Sequence, residues 1–118
     1  MNLETIASKL DLKRLTPDLA GADAAEVTAG YASDLLSDVL ANAPAGGVLV
    51  TLQVHLNVIA VASHAELGAV VFTSGRAPEA DVVEKAVAEG LHLYATSADT
   101  FEVVGRLHAL GVKSGRGS

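Results

Sequence analysis

Two apolar runs that end on polar residues, a crossover length apart, constrain this chain more than any single motif does. The first, in GVLVTLQ at 47–53, stops on a row of polar side chains, Thr51, Gln53, His55 and Asn57. The second, AVVFT at 69–73, stops on Ser74 and Gly75. Parallel strands need a connection of a dozen or more residues, usually a helix, and the segment between the runs has that length. The pair therefore reads as strand, turn, helix, strand. Both polar clusters then fall at the carboxyl ends of neighbouring strands, the edge where open α/β sheets bind ligands.

The remaining pattern extends this unit. Leu3, Ile6, Ala7 and Leu10 recur at helical spacing, which predicts an amphipathic helix over 2–10. Thr16-Pro17 opens a loop through Gly21. AEVTA at 25–29 is a weak first strand that ends at Gly30. Ser33 then stands as an N-cap, with Asp34 in the first turn and Leu35, Leu36, Val39 and Leu40 as one apolar face closed by APAGG at 43–47. Residues 57–67 have both strand and helix character. VIAVA would suit a hairpin, but Asn57 as an N-cap, three alanines and Gly68 at the end favour a helix. A further helix over 79–89 is closed by Gly90, LHLYA at 91–95 is the fourth strand, and Ser97 caps a last helix. In that helix Phe101, Val104, Leu107 and Leu110 form the expected buried face. The expectation is one α/β domain over 1–112, with helices on both sides of a mainly parallel sheet of about four strands, and a flexible tail over 113–118. The turns beginning at Gly30, Gln53, Ser74 and Thr96 would gather on one edge.

Composition narrows the function classes. Half of the 118 residues are apolar but only four are aromatic, so the core must come from Val, Leu, Ile and Ala. There is no cysteine, which removes thiolate metal sites, disulfides and cysteine nucleophiles. Fourteen acids against eight bases give a net charge of −6, which opposes binding to nucleic-acid phosphates. No signal-peptide pattern and no long apolar run is present, so the expectation is a cytoplasmic protein that does not insert in membranes.

Laid out this way, GYASDLLSDVLANAPAGGVLVTLQVHLNVIAVASHAELGAVVFTSGRAPEADVVEKA and GLHLYATSADTFEVVGRLHALG resemble the DRTGG domain family over nearly the whole chain. They are also similar to the N-terminal domain of HPr kinase/phosphorylase, a related α/β fold without the kinase site. The nearest likeness is to small standalone members associated with iron hydrogenase subunits. Other members are modules attached to CBS-domain pyrophosphatases or phosphotransacetylases. The resemblance implies a three-layer α/β fold, self-association into a homodimer or higher oligomer, and a regulatory or ligand-sensing role with no reaction of its own. A redox-enzyme or hydrogenase-type partner and a nucleotide or anionic small molecule are the partners it suggests. Thr73-Ser74-Gly75 matches the family's Thr-Gly-Gly, with Ser74 in place of a glycine. The family's Asp-Arg pair has no counterpart in the turn at 54–57, and Arg76 stands just past the TSG turn as its candidate replacement.

The candidate ligand-binding residues are Gln53, His55, Asn57, Thr73, Ser74, Gly75, Thr96 and Ser97. Asn57 and the following helix N-terminus could face an anion, or Asn57 could simply cap that helix. Thr73-Ser74-Gly75 could hold a phosphate through backbone amides, or form an ordinary turn before Pro78. Asp34 and Asp38 read as helix-start acids that complement the dipole. The four histidines lack metal-ligand spacing, so no metal and no cofactor are expected. GVKS at 111–114 is too close to the end to form a phosphate loop, and no serine sits in a nucleophile elbow. A ligand-sensing module is therefore the leading reading. A pure assembly protein using the Leu35, Leu36 and Val39 face comes second, and a small enzyme with His55 as general base third.

Overall fold

The computed structural model describes residues 1–17 and 26–115. The elements run α1 (Leu3–Lys9), β1 (Lys13–Arg14), β2 (Gly30–Ala32), α2 (Leu36–Asn42), β3 (Val48–Thr51), α3 (Asn57–His64), β4 (Ala69–Phe72), α4 (Ala80–Ala88), β5 (His92–Ala95) and α5 (Thr100–Ala109). The strands form one five-stranded sheet in the order β1-β5-β4-β3-β2. β2 to β5 are parallel, and β1 runs antiparallel to β5 with Lys13 opposite Ala95.

Because the parallel strands follow one another in chain order, every crossover steps in the same direction. Crossovers share one hand, so the three connecting helices must lie on the same face. They do: Val39 of α2, Val58, Ile59 and Ala62 of α3, and Val82 and Ala86 of α4 pack on Leu49, Val70, Phe72 and Leu93. The opposite face exposes the alternate strand residues Val48, Val50, Ala69, Val71 and Tyr94. These are covered by Leu3 and Ile6 of α1, by Leu10 just after it, and by Val103 and Leu107 of α5. The result is the three-layer α/β/α arrangement expected from the sequence.

Several boundaries differ for identifiable reasons. The fifth strand, β1, is a charged two-residue edge whose pairing depends on β5 from the far end of the chain. The expected strand at 25–29 is displaced to Gly30–Ala32, where Gly30 pairs with Val48, the first residue of β3, and just before it the Ala29 carbonyl accepts the Val48 N–H at 2.9 Å. Further back the partners are loops: the Val27 N–H donates to Met1 O (2.9 Å) and the Thr28 N–H to Gly46 O (3.2 Å). Gly30 therefore begins a strand and does not follow one. Residue 25 and the loop at 18–21 lie outside the described residues. The segment at 57–64 is helical. At the edge of β2, the Gly30 N–H donates to the Lys113 carbonyl at 2.8 Å, so the segment expected to be a tail is engaged there. Residues 116–118 lie outside the described residues.

Two helix starts also move. Ser33 does not cap α2, which begins after Leu35, and the Ser33 Oγ accepts the Leu35 N–H (3.2 Å). Of the expected α2 face, Val39 alone is fully buried, while Leu35 and Leu40 are 64% and 47% exposed. α5 is capped by Asp99, whose Oδ1 accepts the Glu102 N–H at 2.9 Å, and not by Ser97. Thr100 Oγ1 meets Thr73 Oγ1 at 2.7 Å. That contact turns Thr100 toward the sheet and carries Val103 and Leu107, at i+3 and i+7, inward with it. Phe101, expected in the core, is consequently turned out and 88% exposed.

Candidate functional site

The helices after β4 and β5 part company: α4 goes to one face of the sheet and α5 to the other. A crevice opens where such connections diverge, and α/β sheets bind ligands there. The structure has a cleft of about 480 Å³ at this point, a size within the range of small-molecule sites. Its floor and walls come from Leu10 and Asp11 after α1, Lys13 and Leu15 at β1, Gly75, Arg76 and Ala77 after β4, Ala95 at the end of β5 and Thr96 to Ala98 after it, and Arg106 on α5.

The turn after β4 is built by two consecutive residues in the left-handed region, Ser74 (φ 59°) and Gly75 (φ 73°), closed by the Arg76 N–H donating to Thr73 O at 3.1 Å. This is the hydrogen bonding of a type I′ turn, and it explains a small residue followed by glycine. The Ser74 and Gly75 amides are already committed, donating to Ala98 O (2.8 Å) and Thr96 O (2.9 Å). They stitch the β4 turn to the β5 turn, so an anion in the cleft would be met by side chains and not by these two N–H groups. Thr96 Oγ1 accepts the Ala98 N–H at 3.2 Å and holds the second turn in shape.

Three cationic side chains, Lys13, Arg76 and Arg106, line this cleft, in a chain with eight basic residues and a net charge of −6. Arg106 Nε donates to Glu102 Oε1 at 3.0 Å, leaving its other guanidinium nitrogens for a ligand. Among the described residues, Lys13 and Arg76 have no ion-pair partner. Asp11 is the acid on the rim. With aliphatic patches from Leu10, Leu15 and the alanines, the cleft can receive a polyanion with an apolar portion, but it offers no aromatic ring for stacking.

Of the residues singled out from the sequence, Gly75, Thr96 and Ser97 meet in this cleft. Thr73 is buried beneath it and is occupied with Thr100. Ser74 shapes the turn without lining the cavity. Gln53 and His55 belong to a separate depression of about 450 Å³, shared with Glu79 and Asp81, whose charge is unfavourable for an anion. Asn57 lies outside both, and its N–H donates to His55 Nδ1 at 3.1 Å. The His55 ring is thus used to satisfy the start of α3. Among the described residues no cluster of three His, Asp or Glu side chains is placed to hold a metal.

The sequence reading missed Lys13 and Arg106, which reach the cleft from an edge strand and from a helix flank. It also missed the role of Asp34. This residue precedes α2, and its Oδ1 accepts both the Thr51 hydroxyl (2.9 Å) and the Leu52 N–H (2.7 Å). It therefore ties the turn after β2 to the turn after β3. Asp38 accepts from Tyr31 Oη (2.7 Å) and Asn42 Nδ2 (2.9 Å). The hydroxyl signal for Asp34 was present in Thr51, yet nothing local linked the two.

A three-layer α/β domain with a basic cleft at its strand ends is the class this geometry defines. No family model and no curated protein matches the chain. A solved structure does: the CBS and DRTGG domains of the regulatory region of Clostridium perfringens pyrophosphatase, complexed with the activator diadenosine tetraphosphate. The TM-score is 0.73 at 13% identity, over 90% of this chain and 45% of that one. The fold is therefore DRTGG-like. The comparison does not bear on the relation to HPr kinase, and this chain spans less than half of the matched protein's chain. No helix among the described residues is long and apolar enough to cross a membrane.

Proposed function

We propose that this domain is a regulatory, ligand-sensing module without catalysis of its own, and that it takes a phosphate-bearing metabolite in the cleft between the ends of β4 and β5. The observation that carries this reading is the convergence of Lys13, Arg76 and Arg106 on one cavity in an otherwise acidic chain. A guanidinium presents a planar fork matched to phosphate, and two of these cations have no internal counter-charge among the described residues. The similar structure belongs to a regulatory region and carries a dinucleoside polyphosphate activator, which fits the ligand class. Because that chain is more than twice as long as the match, the cations and not the likeness support the position of the site.

The test is calorimetric titration of the purified chain with pyrophosphate, tripolyphosphate, ATP and diadenosine tetraphosphate. Arg76→Ala should weaken binding of any ligand found by about ten- to a hundredfold, the worth of a charge-assisted hydrogen bond. Lys13→Ala should do somewhat less, and Asn57→Ala, outside the cleft, should change nothing. Binding that survives both cation substitutions, or four silent titrations, would refute the reading.

A further inference from the structure

The outward side of α5 carries an apolar stripe that the core does not use. Phe101 is 88% exposed and Val104 39%, and with His108 they follow the i, i+3, i+7 spacing of one helix face. At the C-terminal end of this stripe is an apolar pocket of about 210 Å³, lined chiefly by Val50, Val104, Leu107, Val112 and the strand residues Gly30 to Ala32. An apolar cavity of about 150 Å³ is enough to bind benzene, so this one can admit a phenyl ring. A ring stands on the same surface. Phe101 lies seven residues before His108, about 10 Å along the helix.

We propose that this face binds a second copy of the chain, with α5 antiparallel to its counterpart and each Phe101 seated in the other copy's pocket. A two-fold interface must be self-complementary, and the stripe supplies a projecting ring and a matching hollow at its two ends. Charge agrees with the antiparallel direction. Asp99 and Glu102 flank the Phe101 end, while Lys113 flanks the pocket end, with its Nζ 3.3 Å from the His108 carbonyl. In the antiparallel pair each acidic end meets a basic end. Midway lies Gly105, exposed and with nothing within 4 Å of where a Cβ would stand, so the two helices can approach closely at the axis. The face expected from the sequence, on α2, has instead turned Val39 into the core.

Sedimentation equilibrium or light scattering at high micromolar concentration tests this. The expected result is a mass approaching twice the 12.0 kDa of one chain. Phe101→Glu should weaken association by at least about tenfold, as loss of a central anchor does. An unchanged melting midpoint at a dilution where both proteins are monomeric would show that the fold is intact, since Phe101 lies outside the core. Gly105→Arg, which fills the axis, should act in the same direction. The proposal is overturned by a chain that stays monomeric at every concentration. It is overturned equally by a dimer that persists in Phe101→Glu, or that is lost in Leu35→Glu in place of Phe101→Glu.

Discussion

Replacing Thr73 with valine removes one hydroxyl and leaves the side-chain volume nearly unchanged. Thr73 is fully buried, and its Oγ1 has Thr100 Oγ1 at 2.7 Å as its hydrogen-bonding partner. Thr100 is only half-buried, so water can reach its hydroxyl when Thr73 is gone. Thr73→Val should then cost about 1 kcal/mol, the net value of a neutral hydrogen bond. Thr100→Val is the more damaging change, because it leaves the buried Thr73 hydroxyl unpaired; the expected cost is about 2 kcal/mol. The double variant removes both polar groups together and should cost no more than Thr100→Val alone, giving a coupling of about 1 kcal/mol. Urea denaturation of the four proteins, with equal slopes, reads these values directly. Additivity within about 0.5 kcal/mol, or a greater loss for Thr73→Val than for Thr100→Val, would refute the argument. The account of why α5 turns Val103 inward and Phe101 outward would fall with it.

Two further substitutions probe the turns around the cleft. Ser74→Gly should raise stability by up to about 0.5 kcal/mol, since relief of the left-handed conformation outweighs glycine's greater freedom in the unfolded chain. Gly75→Ala should lower it by about 1 kcal/mol although nothing within 4 Å would meet the added methyl. Equal losses at the two positions in thermal melts would contradict this. Asp34→Ala removes the acceptor of both the Thr51 hydroxyl and the Leu52 N–H, and should cost about 2 kcal/mol. Hydrogen exchange at the Leu52 amide should accelerate with it, and unchanged protection there would count against the clasp.

The parallel sheet was legible because its strands announce themselves locally. VLVT, AVVF and HLYA are short apolar runs of four, bounded by turn residues and a helix length apart. The edges were not legible. Lys13-Arg14 has no strand character of its own and becomes a strand by pairing with Ala95 and Tyr94. Gly30 has the look of a turn but opens β2, because register is set by the partner and not by composition. The face of α5 was misread for a similar reason. Phe101-Val104-Leu107 and Val103-Leu107-Leu110 are equally periodic, and the choice between them rests on a hydroxyl contact with Thr73 on another element. Of the candidate site, Gly75, Thr96 and Ser97 were found as strand-end turn residues. Its cations Lys13 and Arg106 were not, since charge on an edge strand or a helix flank gives no sign of which cavity it borders.

The position of the cleft follows from strand order, whatever the ligand proves to be. A sheet wound in one direction puts α2, α3 and α4 on one face and leaves the other face uncovered. Only segments outside that winding can cover it, and these are α1 before it and α5 after it. The chain must therefore change faces once, on leaving β5, and the turns after β4 and β5 diverge there and nowhere else along the parallel strands. α1 must cross the same border to enter the sheet beside β5, which brings Asp11 and Lys13 to the mouth of the opening. In this way segments distant in sequence deliver Lys13, Arg76 and Arg106 to one place, although none of them lies in a recognisable motif. The longest of the covering helices, α5, also carries Arg106 on its cleft side and Phe101 on its open side. Whatever holds Arg106 acts on the same ten-residue helix that carries Phe101, so a ligand and a second copy would bear on one rigid element.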